Sequence, residues 1–251
     1  MLPNHSPLVI AEQFGTLAEL HPGRIDLGLG RAPGSDQLTQ RALRRDPTAA
    51  DRFPHDVVEL QGYLKGESRI PGIDAVPGKG TDVPLYILGS SLFGGSLAAV
   101  LGLPFAFASH FAPDALEEAI ELYRDRFEPS SQLDKPYVMA GINVVVSEDR
   151  ADAEAQLLHA QRRRVARFVA PGRHLSDDEA DALLQSPQGR HVAHMMRWTA
   201  AGDSAAVTRG LEAFTDHTGA DELVVVLISP TLEQRLRSAT LLAELAGLSG
   251  R

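Results

Sequence analysis

The sequence predicts an α/β fold in which parallel strands alternate with helices. Five apolar segments have the character of core strands, beginning near residues 25, 84, 105, 138 and 222, and each precedes a helix or a loop and a helix. The strands at 84–88 and 104–108 are separated only by a glycine-serine turn and a short helix at 96–101. This βαβ crossover requires parallel strands. The alternation predicts an open doubly wound sheet or a (β/α)8 barrel.

The N-terminal elements follow from capping residues and periodicity. Ser6 as cap and Pro7 at a first helical position begin a helix that ends at His21. A strand at 25–29 comes next, followed by a long loop to about residue 47 and a helix from Asp51. Residues 137–146 contain almost no polar side chain, which is typical of a strand covered on both faces.

The C-terminal part is predicted in the same way. Ser147 is the expected cap of a helix at 149–169, and Ser176 with Glu179 forms a capping box for a helical region reaching Arg190. We interpret residues 170–200 as a helical insertion in a single domain of residues 1–251. A helix at 203–218, a strand at 222–228 and a helix begun by Pro230 complete the chain.

Composition restricts the classes of partner. The 251 residues are 43% hydrophobic and 23% charged, as expected for a globular protein with a large core. A net charge of −9 disfavours nucleic acid and anionic membranes as partners. The run Arg162–Arg164 is interpreted as a solvated helix face in preference to an anion site. Cysteine is absent, which excludes disulfides and thiolate chemistry. The first ten residues lack a basic region, and no apolar run approaches the ~20 residues of a membrane span, so we expect a cytoplasmic protein.

Arg31 is the first candidate site residue, because it follows the strand at 25–29 at the end where active sites of parallel α/β folds gather. A guanidinium there suits an anion, although a surface arginine would fit the same pattern. Gly28 and Gly30 do not form a dinucleotide fingerprint, since Pro33 occupies the third position and no helix follows at once.

A second candidate segment joins the strand at 84–88 to the next helix. Gly89, Ser90 and Ser91, followed by Gly94, offer hydroxyls and helix N-terminal N–H groups to a phosphate. A plain capped turn explains the same residues equally well.

Histidines are the remaining candidates. His5 and His110 lie at predicted edges of the same face of a barrel and suit proton transfer, although a lone histidine is more often a structural hydrogen bonder. His191 and His194 are three residues apart, but no third ligand is evident, so no metal site is predicted.

Several segments together resemble the bacterial luciferase-like monooxygenase family. Their order and spacing cover nearly the whole chain: Leu2-Pro3-Asn4-His5-Ser6-Pro7, Ala11-Glu12-Gln13, residues 21–31, Leu88-Gly89-Ser90-Ser91, residues 103–108 and residues 218–223.

The resemblance implies a TIM barrel of the flavin-dependent type. It implies a monooxygenase that acts on paired donors, using dioxygen and reduced FMN from a separate flavin reductase to oxygenate an organic substrate. Arg31 and Ser91 would hold the flavin phosphate, Gly89 and Ser90 would shape the turn, and Gly94 would add a backbone donor. A homodimer is the expected assembly.

The resemblance also leaves alternatives. Some relatives use the deazaflavin F420 and transfer hydride without oxygen, so an F420-dependent oxidoreductase is the second possible function. A non-catalytic flavin-binding or subunit-like protein is the third. The motif at Leu2–His5 follows the third barrel strand in the family, so the first two to three β/α units are expected to be missing, and the barrel incomplete. Key catalytic residues would then lie upstream of Met1, leaving His5 and His110 as candidates.

Overall fold

The computed structural model describes residues 1–32, 34, 36–44 and 46–248, so Pro33 lies outside the described residues. The chain divides into two compact units. Unit 1 contains Met1–Ala106 and Glu121–Tyr137, and unit 2 contains Phe107–Ile120 and Val138–Arg251. Strand β3 (Phe105–Phe107) and helix α5 (Leu116–Asp125) cross the boundary along the sequence. The single-domain organisation stays a prediction.

Unit 1 is built around two parallel strands. They pair in register from Leu27 opposite Leu85 to Gly30 opposite Leu88, and Leu27, Leu29, Leu85 and Ile87 are buried. The elements of this unit are α1 (Pro7–Leu20), β1 (Leu27–Gly30), α2 (Gln37–Ala42), α3 (Phe53–Lys65), β2 (Leu85–Gly89) and α4 (Leu92–Leu101). Because β1 and β2 are parallel, their C-terminal ends lie at one edge of the pair.

Unit 2 is built on a long central strand, β4 (Val138–Val146), in which every residue except Met139 is buried. This burial confirms the prediction from its apolar run. Two shorter strands pair parallel to it, with Asn143 opposite Thr199 and Met139 opposite Glu222. The other elements are α6 (Arg150–Val169), α7 (Asp177–Leu184), α8 (Pro187–His194), β5 (Thr199–Gly202), α9 (Ser204–Thr218), β6 (Glu222–Leu227) and α10 (Leu232–Leu245).

Several predicted helix starts need correction. Ser6 occupies the cap position of α1 but makes no side-chain capping bond. Asp149, not Ser147, caps α6: its carboxylate accepts from the Ala151 N–H at 3.0 Å, whereas the Ser147 hydroxyl donates to Asp152. Helix α10 begins at Leu232 and not at Pro230, and Thr231 caps it, because its hydroxyl accepts a hydrogen bond within a capping box.

Other boundaries also differ from the predictions. Helix α4 begins at Leu92, four residues before its predicted start, and a 3₁₀ helix at Pro47–Arg52 precedes α3. The predicted capping box of Ser176 and Glu179 is confirmed, but the helical region beyond it consists of two helices, α7 and α8.

A short helix and a short strand were not predicted. Helix α2 lies in the expected long loop, where the Asp36 carboxylate caps it by accepting from the Thr39 N–H at 2.9 Å. Strand β5 consists of four small residues, and pairing with β4 holds them in the extended conformation. Such short segments carry too little periodicity to be recognised.

Within the described part of the chain, no helix combines the length and the apolar character that crossing a bilayer requires. The cytoplasmic location stays a prediction.

Candidate functional site

The candidate anion site lies where β1 and β2 of unit 1 end. Arg31 follows β1 directly, and Gly89 is the last residue of β2. Since Gly30 pairs with Leu88, the next residues of the two strands leave the same edge. Ser90 and Ser91 then lead into α4. The structure therefore brings together the predicted cofactor-binding residues of both segments.

Arg31 is held by an aromatic ring. Its guanidinium carbon lies 4.2 Å from the centroid of the Phe93 ring, in the first turn of α4. The Arg31 side chain is exposed, and among the described residues it forms no ion pair. Stacking on a ring occupies the face of a guanidinium and leaves its N–H edge free to donate. Arg31 is therefore an oriented cation with unused donors.

Ser91 occupies the N-terminal cap position of α4 without using its side chain there. Its backbone is extended, with φ −153° and ψ 168°, and its hydroxyl makes no capping bond. The first N–H groups of a helix lack intrahelical acceptors, and the positive end of the helix dipole lies there. Ser90 and Ser91 are both exposed. Hydroxyl and backbone donors are thus presented beside the Arg31 cation, as phosphate binding requires.

Two glycines allow strand β2 and helix α4 to approach closely. A Cβ on Gly89 would lie 3.4 Å from the Gly94 Cα. A Cβ on Gly94 would lie 3.1 Å from Cε2 of Phe105 and 3.3 Å from the Gly89 Cα. Gly94 is buried, and its lack of a side chain lets α4 pack closely on β2. Its N–H group belongs to the first turn of α4. These glycines set the shape of the turn that carries the two serines.

His5 lies elsewhere in unit 1, after the 3₁₀ helix Leu2–Asn4. Its backbone N–H donates to the Leu2 carbonyl at 2.8 Å, and its side chain is exposed. A surface cavity beside it is also lined by Arg52, Asp56 and Glu59. His5 therefore lies in charged surroundings, and a catalytic role for it stays a prediction.

His110 belongs to unit 2 and is half-buried. Its Nδ1 atom is buried and has no hydrogen-bond partner among the described residues. Its carbonyl accepts from Asn143 Nδ2 at 2.7 Å, and its ring packs edge-to-face on Phe111. Burial, and secondarily the charge of Arg164, lower the pKa of His110. The imidazole is therefore neutral at pH 7, and a role for it in catalysis stays a prediction.

The imidazole of His110 occupies space that Gly141 leaves open. A Cβ on Gly141 would collide with His110 Nδ1, and it would lie 3.2 Å from the Phe107 carbonyl oxygen. The Ser109 hydroxyl donates to the Gly141 carbonyl at 2.6 Å, which fixes the backbone before the histidine. The position of His110 is thus set by backbone contacts on both sides.

The arginine run on α6 is not uniformly a solvated face, so that interpretation is wrong for two of its members. Arg162 forms a salt bridge with Asp181 at 2.6 Å and also contacts Asp177. Arg163 is exposed. Arg164 is half-buried and reaches the His110 carbonyl. Gln156 and Val165 are buried on the same helix. The helical spacing of residues along α6 could therefore have indicated that one face of this helix is covered.

The two histidines considered for metal binding lie on α8, where His194 Nε2 contacts the Asp114 carboxylate. Within the residues described, no group of three His, Cys, Asp or Glu side chains could hold a metal ion.

The fold and this geometry define a parallel α/β protein with a candidate anion site where adjacent strands end. A family model for luciferase-like monooxygenases matches residues 1–222. The luciferase-like monooxygenase of Escherichia coli (strain K12) is 48% identical over 228 residues, 90% of this chain and 68% of that protein. The chain belongs to the luciferase-like monooxygenase family, which confirms the resemblance.

Solved structures confirm the predicted fold class. The structure of apo-MsnO8 matches with a TM-score of 0.84 at 33% identity, covering 100% of this chain and 76% of that one. The fold is therefore the α/β barrel type of the luciferase-like family rather than an open doubly wound sheet.

More distant structures share the fold alone. They include an F420-dependent secondary alcohol dehydrogenase, with a TM-score of 0.62 at 17% identity, covering 93% of this chain and 73% of that one. They also include the oxygenating component of 3,6-diketocamphane monooxygenase from Pseudomonas putida in complex with FMN. That structure has a TM-score of 0.55 at 16% identity and covers 89% of this chain and 70% of that one.

Proposed function

We propose that this protein is a flavin-dependent monooxygenase that binds the phosphate of reduced FMN at the ends of β1 and β2. The observation that carries the proposal is the exposed Arg31 cation, stacked on Phe93 beside the N-terminus of α4. Membership of the luciferase-like monooxygenase family supports the reaction class.

The residues present fit the phosphate group of a flavin. Arg31 supplies a guanidinium that can grip two phosphate oxygens, and its stacking on Phe93 limits the loss of side-chain freedom on binding. Ser90, Ser91 and the first N–H groups of α4 add uncharged donors. Gly89 and Gly94 keep these donors close to the strand.

When bound, reduced FMN would supply the electrons for activating dioxygen and transferring one oxygen atom to an organic substrate. A separate flavin reductase would deliver it, so reductant and substrate would form the paired donors. We further propose a homodimer and, as a candidate group for moving a proton, the neutral imidazole of His110.

An F420-dependent oxidoreductase is the second candidate function. An F420-dependent alcohol dehydrogenase has the same fold, and F420 also carries a phosphate that Arg31 could bind. A non-catalytic flavin-binding protein is the third candidate, because the phosphate site requires no catalytic group.

Anaerobic titration distinguishes the cofactors. The proposal predicts that reduced FMN binds at least about tenfold more tightly than reduced F420, because the terminal phosphate monoester of FMN carries more negative charge than the phosphodiester of F420. Tighter binding of F420 would contradict it. Oxygenation of a substrate panel, coupled to a flavin reductase under ¹⁸O₂, then separates enzyme from binding protein. Product carrying one ¹⁸O atom supports the monooxygenase.

A further inference from the structure

The Arg164 guanidinium in unit 2 is half-buried without an anionic partner. Among the described residues it forms no ion pair, and its hydrogen bond to the His110 carbonyl is long, with Nη1···O at 3.4 Å. Arg162, two residues away on α6, is instead neutralised by two carboxylates of α7. Arg164 therefore carries a charge that the described residues leave uncompensated.

The imidazole of His110 lies next to it, but its Nδ1 atom packs against Gly141 and is closed to a ligand. His110 Nδ1 is buried and unpartnered, and the carbonyl of the same residue is the acceptor for Arg164. Asn143, which is fully buried, anchors that carbonyl through Nδ2 at 2.7 Å. The guanidinium and the imidazole are thus held beside each other by one peptide group.

Burying a charge is costly unless an opposite charge or several hydrogen bonds compensate for it. Burial and the neighbouring charge of Arg167 lower the pKa of Arg164, but a guanidinium stays protonated at neutral pH. A single guanidinium, which can donate two parallel N–H groups, matches a monovalent, planar carboxylate better than a phosphate dianion.

We propose that Arg164 binds the carboxylate of a small organic acid beside the His110 ring. The exposed ring of Phe111, packed on the His110 ring at 4.8 Å between centroids, would contact an apolar part of that acid. The binding itself requires no flavin.

Calorimetric titration of the flavin-free protein with hexanoate and with hexanamide tests the proposal, because the two probes differ in charge and scarcely in shape. We expect hexanoate to bind at least about tenfold more tightly, as a charged hydrogen bond predicts. R164Q should remove that preference, whereas R163Q, at an exposed neighbouring arginine, should change it less than about twofold. Equal binding of the two probes by the wild type, or equal losses in both variants, would overturn the proposal.

Two further measurements keep the result independent of folding and of the flavin site. R164Q should melt at the wild-type temperature or above, because it removes an unpaired buried charge. If R164Q does not fold, R164K must retain a preference for hexanoate at weaker affinity, and loss of the preference in R164K would overturn the proposal. FMN affinity should be unchanged in R164Q. Failure of the wild type to bind FMN would count against the proposed function and leave the carboxylate preference standing.

Discussion

The guanidinium of Arg31 lies over the ring of Phe93, 4.2 Å from its centroid, and this contact links the end of β1 to the first turn of α4. The ring orients the cation at the place where the helix presents its free N–H groups. In this account, the phosphate site depends on Phe93 although a phenyl ring has no donor for a phosphate.

Replacement of Phe93 by leucine tests that dependence. F93L removes the cation–π contact, worth about 0.5–1 kcal/mol at an exposed site, so FMN affinity should fall about two- to fivefold. Riboflavin affinity should be unchanged, because riboflavin has no phosphate. Fluorescence titration with both flavins measures the two affinities, and equal losses would show that Phe93 contacts the ring system instead.

Substitution of Gly94 by alanine tests the close packing of α4 on β2. Alanine favours a helix by about 1 kcal/mol, but overpacking in a core costs about 1–3 kcal/mol. The Phe105 ring and the Gly89 backbone leave little room, so we expect a net loss in the free energy of unfolding.

Gly30 offers a matched control, because a Cβ there would meet its nearest atoms only at 3.8–4.0 Å. Chemical denaturation should therefore show G94A less stable than the wild type and G30A no less stable. A G94A protein at least as stable as G30A would contradict the packing account.

The Tyr123 hydroxyl is a buried link within unit 1. It donates to the Leu103 carbonyl at 2.9 Å and accepts from the Tyr137 N–H at 3.1 Å. Y123F leaves both groups without this partner, so we expect a loss of about 1–3 kcal/mol in the free energy of unfolding. An unchanged denaturation midpoint would show that other groups form hydrogen bonds with the Leu103 carbonyl and the Tyr137 N–H in the variant.

His110 makes stability depend on pH. Its pKa is lowered in the folded state, so the unfolded state binds more protons as the pH falls below about 6.5. The contribution of neutral His110 is therefore complete above that pH and is lost on acidification. H110N should show a smaller drop in the free energy of unfolding between pH 7 and pH 5, and a drop equal to that of the wild type would contradict the assignment.

The sequence was most informative where local chemistry decides the structure. The strands that end in Gly30 and Gly89 could be predicted, because their apolar residues stop at glycine-containing turns, and the residues after them include Arg31 and Ser91. The capping box of Ser176 and Glu179 was equally local. The position of Arg31 over Phe93 could not be predicted, because that contact depends on the pairing of β1 with β2.

Tertiary contacts decided what the sequence could not show. Three consecutive arginines have the same chemistry, and only packing around α6 distinguishes the paired Arg162 and the half-buried Arg164 from the exposed Arg163. Asn143 lies in an apolar strand, and nothing in the sequence indicates that its side chain binds the His110 carbonyl. Strand β5 became a strand through its pairing with β4, a partner more than fifty residues earlier.

The central claim is that Arg31 binds the phosphate of a flavin, and the affinity of R31A for FMN and for riboflavin tests it most directly. We predict that R31A loses about 1.5–3 kcal/mol of binding free energy for FMN and almost none for riboflavin. R24A, at an exposed arginine that precedes β1, should bind both flavins as the wild type does. Equal losses for FMN and riboflavin in R31A, or an equal loss of FMN affinity in R24A, would contradict the claim.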